Sequence, residues 1–249
     1  MRILVINPNT TASMTEKIGV AARHVAAAGT EIVARNPATG PASIQGAEDG
    51  EAALPGLFEE LDKAAGFDAV IIACFDDTGL YEARRRTRVP VIGIGEAAYH
   101  YAMLVADRFS VVTTLAVSIP VIQENIMRYG LSARCGKVRA SNVPVLELER
   151  PGSTARETIS DEIASALLHD NSDAIVLGCA GMADLGRFLE ERLQVPVIDG
   201  VAAAVKFAEA LVGLGLKTSK RGDLAYPLPK VYQGRLESYA PARLRAHVA

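Results

Sequence analysis

The chain has 249 residues, 49% of them hydrophobic and 22% charged, with a formal net charge of −3. That length and apolar content can bury a core as one large domain or two small ones. The mixed, slightly acidic charge offers no nucleic-acid surface, and no window reaches the roughly 18 apolar residues of a membrane span.

The first apolar run, residues 2–7, reads as a strand, and Asn7 and Pro8 cut it short of a signal segment, so a cytoplasmic protein is expected. Residues 12–28 read as an amphipathic helix with Thr11 or Ser13 as N-cap, and 30–36 as a second strand. The Gly-, Pro- and Ser-rich stretch 37–50 reads as a loop, and the segment after Pro55 as a helix. "DAVIIAC" (68–74) is a strand, followed by a helix over about 79–88 that carries the one basic run, "ARRRTR", as a solvated face or end. "VPVIGIG" (89–95) is the next strand. The second half repeats this vocabulary: strand 108–114, a helix from 119, strand 137–145, a helix from 153, strand 172–179, a further helix, strand 195–200, and a long helix from 202. β-branched runs alternating with Ala-rich helices predict a parallel α/β sheet. The Ala- and Val-rich helix at 202–212 has a face that suits packing within a lobe or against another subunit, and a homo-oligomer is expected.

The halves align. "FDAVIIAC" (67–74) lies over "SDAIVLGC" (172–179), placing Cys74 on Cys179 at an offset of 105. "VPVIGIG" lies over "VPVIDGV" (195–201), and "LVINPNTT" (4–11) over "SVVTTLAV" (110–117), both at 106, so that Asn7 falls on Thr113. Shared patterning explains paired "VPVI" but not the doubled D-A-[VI]-[IV]-[IL]-x-C. The expected fold is therefore two similar Rossmann-like lobes with parallel four-stranded sheets related by a pseudo-twofold. Residues 1–97 with 206–249 would form one lobe, 98–205 the other, and the active site would lie in the interlobe cleft.

Ligands of open parallel sheets bind beyond the carboxyl ends of the strands. Cys74 and Cys179 each end a strand there, and the pseudo-twofold sets them on opposite walls of one cleft. A free thiol, with a pKa of about 8.5, is only about 3% thiolate at neutral pH. Helix N-termini after each cysteine are expected to lower that value, with Asp77 or Thr78 capping the first and "AGMADLGRF" (180–188) supplying the second. A carboxylate at Asp76 or Asp77 opposes that effect, and the two acids read as helix-start residues or as substrate-orienting groups. Opposed thiol and thiolate suit inversion of a carbon acid beside a carbonyl, one removing a proton and the other returning one, with no metal or cofactor. Donors for the developing oxyanion are expected from Asn7, Asn9, Thr10, Thr113 and Thr114 at the equivalent first strands, or from the amides after each cysteine. Cys135 has no repeat partner and reads as incidental in a connection, and the three cysteines form no disulfide framework. The four histidines make no ligand-spaced cluster, so no metal is expected.

These motifs, "INPNTT", "ACFDDTGL", "VIGIGEAA", "SVVTT" and "LGCAGMADL" followed by "VPVIDGVAAAVK", together resemble the aspartate/glutamate/hydantoin racemase superfamily, and within it the hydantoin and allantoin racemases, across nearly the whole chain. The resemblance implies Cys74 and Cys179 as the acid/base pair. It also implies a cyclic ureide substrate held near Asn7, Thr113, Thr114 and the residues following each cysteine: Phe75, Asp76, Asp77 and Thr78 after the first, Ala180 and Gly181 after the second. Family members commonly carry Gly-Asp-Pro where this chain has Asp76-Asp77-Thr78, a departure beside the substrate. Other chemistries fit less well. "GIGEAA" lacks the third glycine of a dinucleotide loop. A cysteine hydrolase needs a placed histidine, a one-thiol decarboxylase leaves the second cysteine unused, and a ureide-binding module has no use for two matched thiols.

Overall fold

The computed structural model describes residues 1–234, 237 and 240 apart from Asp184, and every side chain among these except that of Arg187. The first half forms β1 (Arg2–Ile6), α1 (Ala12–Val25), β2 (Glu31–Arg35), α2 (Ala47–Asp62), β3 (Ala69–Ile72), α3 (Leu80–Arg86), β4 (Val91–Gly93) and α4 (Ile94–Val105). The second forms β5 (Phe109–Thr113), α5 (Ile119–Arg128), β6 (Cys135–Ala140), α6 (Ala155–His169), β7 (Ala174–Gly178), α7 (Gly186–Leu193), β8 (Val197–Ile198) and α8 (Gly200–Gly213). Two four-stranded sheets result, ordered β2-β1-β3-β4 and β6-β5-β7-β8, parallel throughout. The doubled sequence thus builds a doubled topology. The expected assignment of 206–249 to the first lobe reaches beyond the described residues at 241–249.

Strands covered on both faces must be apolar on both faces, which is why their runs do not alternate. β3, β5 and β7 are buried along their whole length, and β1 after its first residue. The helices cover them with one stripe each: Met14, Ile18 and Ala22 of α1 recur at i, i+4, i+8, and Val201, Ala204, Val205 and Ala208 of α8 at i, i+3, i+4, i+7. Two helices change sides. α4 leaves the first sheet but packs against β7 of the second, while α8 leaves the second and packs against β3, β4 and α1 of the first. Their starts meet where a Cβ on Gly200 would stand 2.6 Å from the carbonyl oxygen of Ile94, so glycine is needed for the crossing. These two residues are themselves related by the 106-residue offset.

Several expected boundaries shift. α2 begins at Ala47, before Pro55 rather than after it. The proline removes one helical hydrogen bond, to the carbonyl of Glu51, an exposed residue whose oxygen water can reach. The loop before it is therefore shorter than 37–50. β4 stops at Gly93 because residue 94 already starts α4. β6 runs over 135–140, not 137–145: Asn142 turns the chain at φ 58°, and Pro144 has no N–H to give a ladder. Cys135 consequently opens a strand and is not in a connection. No helix begins directly after Cys179; a single 3₁₀ turn covers Ala180–Met182 and α7 starts at Gly186.

Candidate active site

β3 and β7 deliver the two cysteines to one narrow cleft between the sheets, lined by both Cys74 and Cys179. The same alignment that pairs the cysteines pairs the residues before them, Ala73 and Gly178, which also line it. Of the other expected residues, Asn7, Asn9, Phe75, Asp76, Thr113, Thr114 and Ala180 face the cleft. Thr10, Asp77, Thr78 and Gly181 do not line it. Thr10 turns to the neighbouring loop, its hydroxyl donating to the Pro41 carbonyl at 3.3 Å. Gly181 backs onto Leu148, with 2.8 Å between a built Cβ and its Cδ1.

The polar wall is held rigid by its own hydrogen bonds. The Asn7 amide donates to Asn9 Oδ1 at 2.9 Å and to Thr15 Oγ1 at 3.0 Å, and Asn9 Oδ1 also accepts from the Thr11 N–H at 2.9 Å. Thr113 Oγ1 donates to the Gly178 carbonyl at 2.9 Å, tying β5 to β7 beside Cys179. The remaining wall was not legible in the motifs: Met14 of α1, Ile44, Ser118 and Val145. Ile44 comes from a loop and Val145 from the start of a 3₁₀ helix in the other half, joined where the Val145 N–H donates to Gln45 Oε1 at 3.2 Å. Sequence separation near 100 and the lack of periodicity hide such a contact.

The turns after the cysteines are alike. In each, the backbone amide two residues on, of Asp76 or of Gly181, donates to the sulfur, and Thr78 Oγ1 adds a second donor to Cys74 Sγ at 3.3 Å. These single amides do not achieve the lowered thiol pKa expected of helix N-termini. Burial pushes Cys74 well above the usual thiol range, the Asp76 charge adds to it, and the Thr78 and Asp76 hydrogen bonds oppose it only in part. Burial pushes Cys179 up to about 11, the Gly181 amide opposing and Asp76 reinforcing. Both thiols are neutral at rest. Asp76 is itself pushed up to about 7 by burial, with the Ser118 hydroxyl pulling the other way.

Asp77 does not cap the helix that follows it, where Gly79 at φ 68° holds the N-cap position. Its carboxylate crosses to α4, Oδ1 accepting from Gly95 N at 3.0 Å and Oδ2 from Glu96 N at 2.8 Å and from Tyr129 Oη at 2.7 Å. Burial pushes this acid up to about 7 against those three donors. The glycines of "GIGE" make the approach possible: a Cβ on Gly93 would stand 2.1 Å from Asp77 Oδ1, and one on Gly95 2.9 Å from Oδ2. The motif that resembles an anion-binding loop does bind an anion, a carboxylate of its own chain. The equivalent helix in the other half, α8, is capped by its own Asp199, which accepts from Val201 N at 3.1 Å and Ala202 N at 2.9 Å.

Residues 3–208 match the Asp/Glu/Hydantoin racemase family. The chain belongs to that family. The racemase, an isomerase, is 48% identical over 236 residues to a hydantoin racemase of Rhizobium meliloti, covering 94% of this chain and 98% of that one. It is 45% identical to a hydantoin racemase of Pseudomonas sp. (strain NS671), covering 96% and 97%. Its structure superimposes on an allantoin racemase from Klebsiella pneumoniae with a TM-score of 0.93 at 48% identity, covering 97% of this chain and all of that one.

Proposed function

We propose that this racemase inverts C5 of 5-substituted hydantoins by a two-base mechanism with Cys74 and Cys179 and no cofactor. The observation that carries the proposal is that two thiols at repeat-equivalent strand ends line one small cleft. The C5 proton is acidified by the adjacent C4 carbonyl. One sulfur, as thiolate, removes it to give a planar enolate, and the thiol on the opposite wall delivers its proton to the other face. The two sulfurs thereby exchange protonation states. Negative charge gathers on the C4 oxygen, where Asn9, Thr114 and the Ala180 amide are the candidate donors, the hydrogens of the Asn7 amide and the Thr113 hydroxyl being committed within the wall. The ring itself is neutral, with alternating N–H and C=O groups, and an amide- and hydroxyl-lined wall suits it. Allantoin, a hydantoin bearing a ureido group at C5, is the second substrate to weigh, because of the likeness to a solved allantoin racemase.

The test is a single enantiomer of a 5-alkylhydantoin, and separately of allantoin, incubated in heavy water with optical rotation and C5 exchange followed together. Cys74→Ser and Cys179→Ser should each lower racemisation by about 10²- to 10⁴-fold, the contribution of a general acid–base group. Racemisation within tenfold of the parent enzyme in either variant would refute the two-base reading. Exchange without inversion, confined to one enantiomer in each variant, would assign each sulfur to one hand.

A further inference from the structure

For transfer between two sulfurs, the C5–H bond must point along the line joining them. The other three bonds of C5 then lie near the plane midway between the walls. Two belong to the ring, so the substituent leaves in that midplane, and it stays there as C5 flattens to the enolate and inverts. Whatever side chain occupies the midplane meets the substituent of both enantiomers.

Asp76 occupies it. It follows Cys74 in the first half, yet its Oδ2 accepts from Ser118 Oγ at 3.4 Å and its backbone carbonyl from Asn125 Nδ2 at 2.8 Å, both from the second half. Its charge is felt by both thiols. Its other oxygen, Oδ1, has no hydrogen-bond partner among the described residues. Asp76 also lines a second, more open cleft, together with Glu51, Tyr81, Glu82, Asn125 and Arg128. The Arg128 guanidinium there lies 3.8 Å from the Tyr81 ring centroid, committed to that face. A substituent that reaches Asp76 thus meets an acceptor with a free oxygen at the border of the two clefts.

We infer that Asp76 selects substrates whose C5 substituent ends in a hydrogen-bond donor, an ammonium or ureido group, over those of the same shape that end in a methyl. The inference rests on the racemase reading and names the substrate class within it. The opposing surface of the cleft, Met14, Ile44 and Val145, is apolar, and a substituent seated there would reverse the preference.

5-(4-Aminobutyl)hydantoin and 5-pentylhydantoin are near-isosteres that differ at the terminal atom. The parent enzyme is expected to favour the ammonium compound at least tenfold in kcat/KM, and Asp76→Asn to lower that ratio by about 10- to 100-fold, the size of a charge-assisted hydrogen bond. Calorimetric binding of the same pair to Cys74→Ser should show the same ordering without turnover. Equal or inverted preference in the parent enzyme overturns the inference, whether or not the Asn variant folds; so does a ratio unchanged by Asp76→Asn. If no hydantoin exchanges its C5 proton but binding still favours the ammonium compound, the racemase reading fails and the selection by Asp76 stands.

Discussion

Asp77→Ala removes a carboxylate that joins the Cys74 turn, the start of α4 and the end of α5 at a single buried point. The loss can be summed from its bonds. Two N-cap hydrogen bonds, at 3.0 and 2.8 Å, are worth about 1 to 2 kcal/mol together. Leaving the Tyr129 hydroxyl without its acceptor at 2.7 Å costs about 1 to 3 kcal/mol. The residue also sits at φ 50°, where alanine costs about 1 kcal/mol more than glycine or asparagine. The total is about 3 to 6 kcal/mol, and a chain of this size loses about 2 to 4 °C per kcal/mol. Thermal unfolding followed by near-ultraviolet circular dichroism should place Asp77→Ala about 6 to 24 °C below the parent protein. Asp77→Gly, relieved of the backbone term, should lie slightly above it, and Asp77→Asn, which keeps one acceptor and tolerates the backbone, about midway. A double-mutant cycle with Tyr129→Phe should return a coupling of about 1 to 2 kcal/mol. An alanine variant within 2 °C of the parent, or a cycle with no coupling, would refute the role assigned to this carboxylate.

The pH dependence of kcat/KM follows from the raised thiols. Because both begin protonated and Cys179, the lower, stands at about 11, the singly ionised pair grows with pH, and kcat/KM should climb through pH 7–10 with no plateau. Asp76→Asn removes a charge that raises both sulfurs and should move the rise to lower pH, measured with one hydantoin at limiting concentration. Gly200→Ala places a methyl 2.6 Å from the Ile94 carbonyl and should cost about 1 to 3 kcal/mol in denaturant unfolding. Tyr99 is buried among Phe75, Phe109 and Tyr129, and its hydroxyl has no partner among the described residues. Tyr99→Phe should therefore unfold at equal or higher denaturant, with a gain of about 1 kcal/mol.

The repeat made the architecture legible, and with it the meeting of Cys74 and Cys179 in one cleft, because a strand ending in D-A-x-x-x-x-C twice at constant offset admits few folds. What remained illegible shares a cause. Asp77 caps a helix that starts 17 residues later, and nothing local in "FDDTGL" distinguishes that from capping α3; only the packing of Gly93 and Gly95 around its oxygens does. Ile44 reaches the cleft from a loop, and Ser118 and Val145 from 3₁₀ turns too short to show a period. α2 runs through Pro55 because one lost hydrogen bond at an exposed carbonyl is cheaper than ending a helix whose Leu57, Phe58 and Leu61 fill the core. The thiols stay protonated because desolvation outweighs a single turn amide, a comparison that needs burial and cannot be made from the string of residues.

The exchanged helices bear on motion. A cleft between two lobes joined by one strand can swing like a hinged shell, but here each sheet holds a helix belonging to the other, and the two cross at Gly200 and Ile94 with no space to spare. Swinging the sheets apart would strip α4 from β7 and α8 from β3 together. The spacing between the sulfurs is accordingly a property of a braced frame rather than of a closing jaw. Beside the cleft, the two halves are further joined where the Val145 N–H donates to Gln45. A racemase works on both mirror images of one molecule, and a frame braced in this way offers both the same walls.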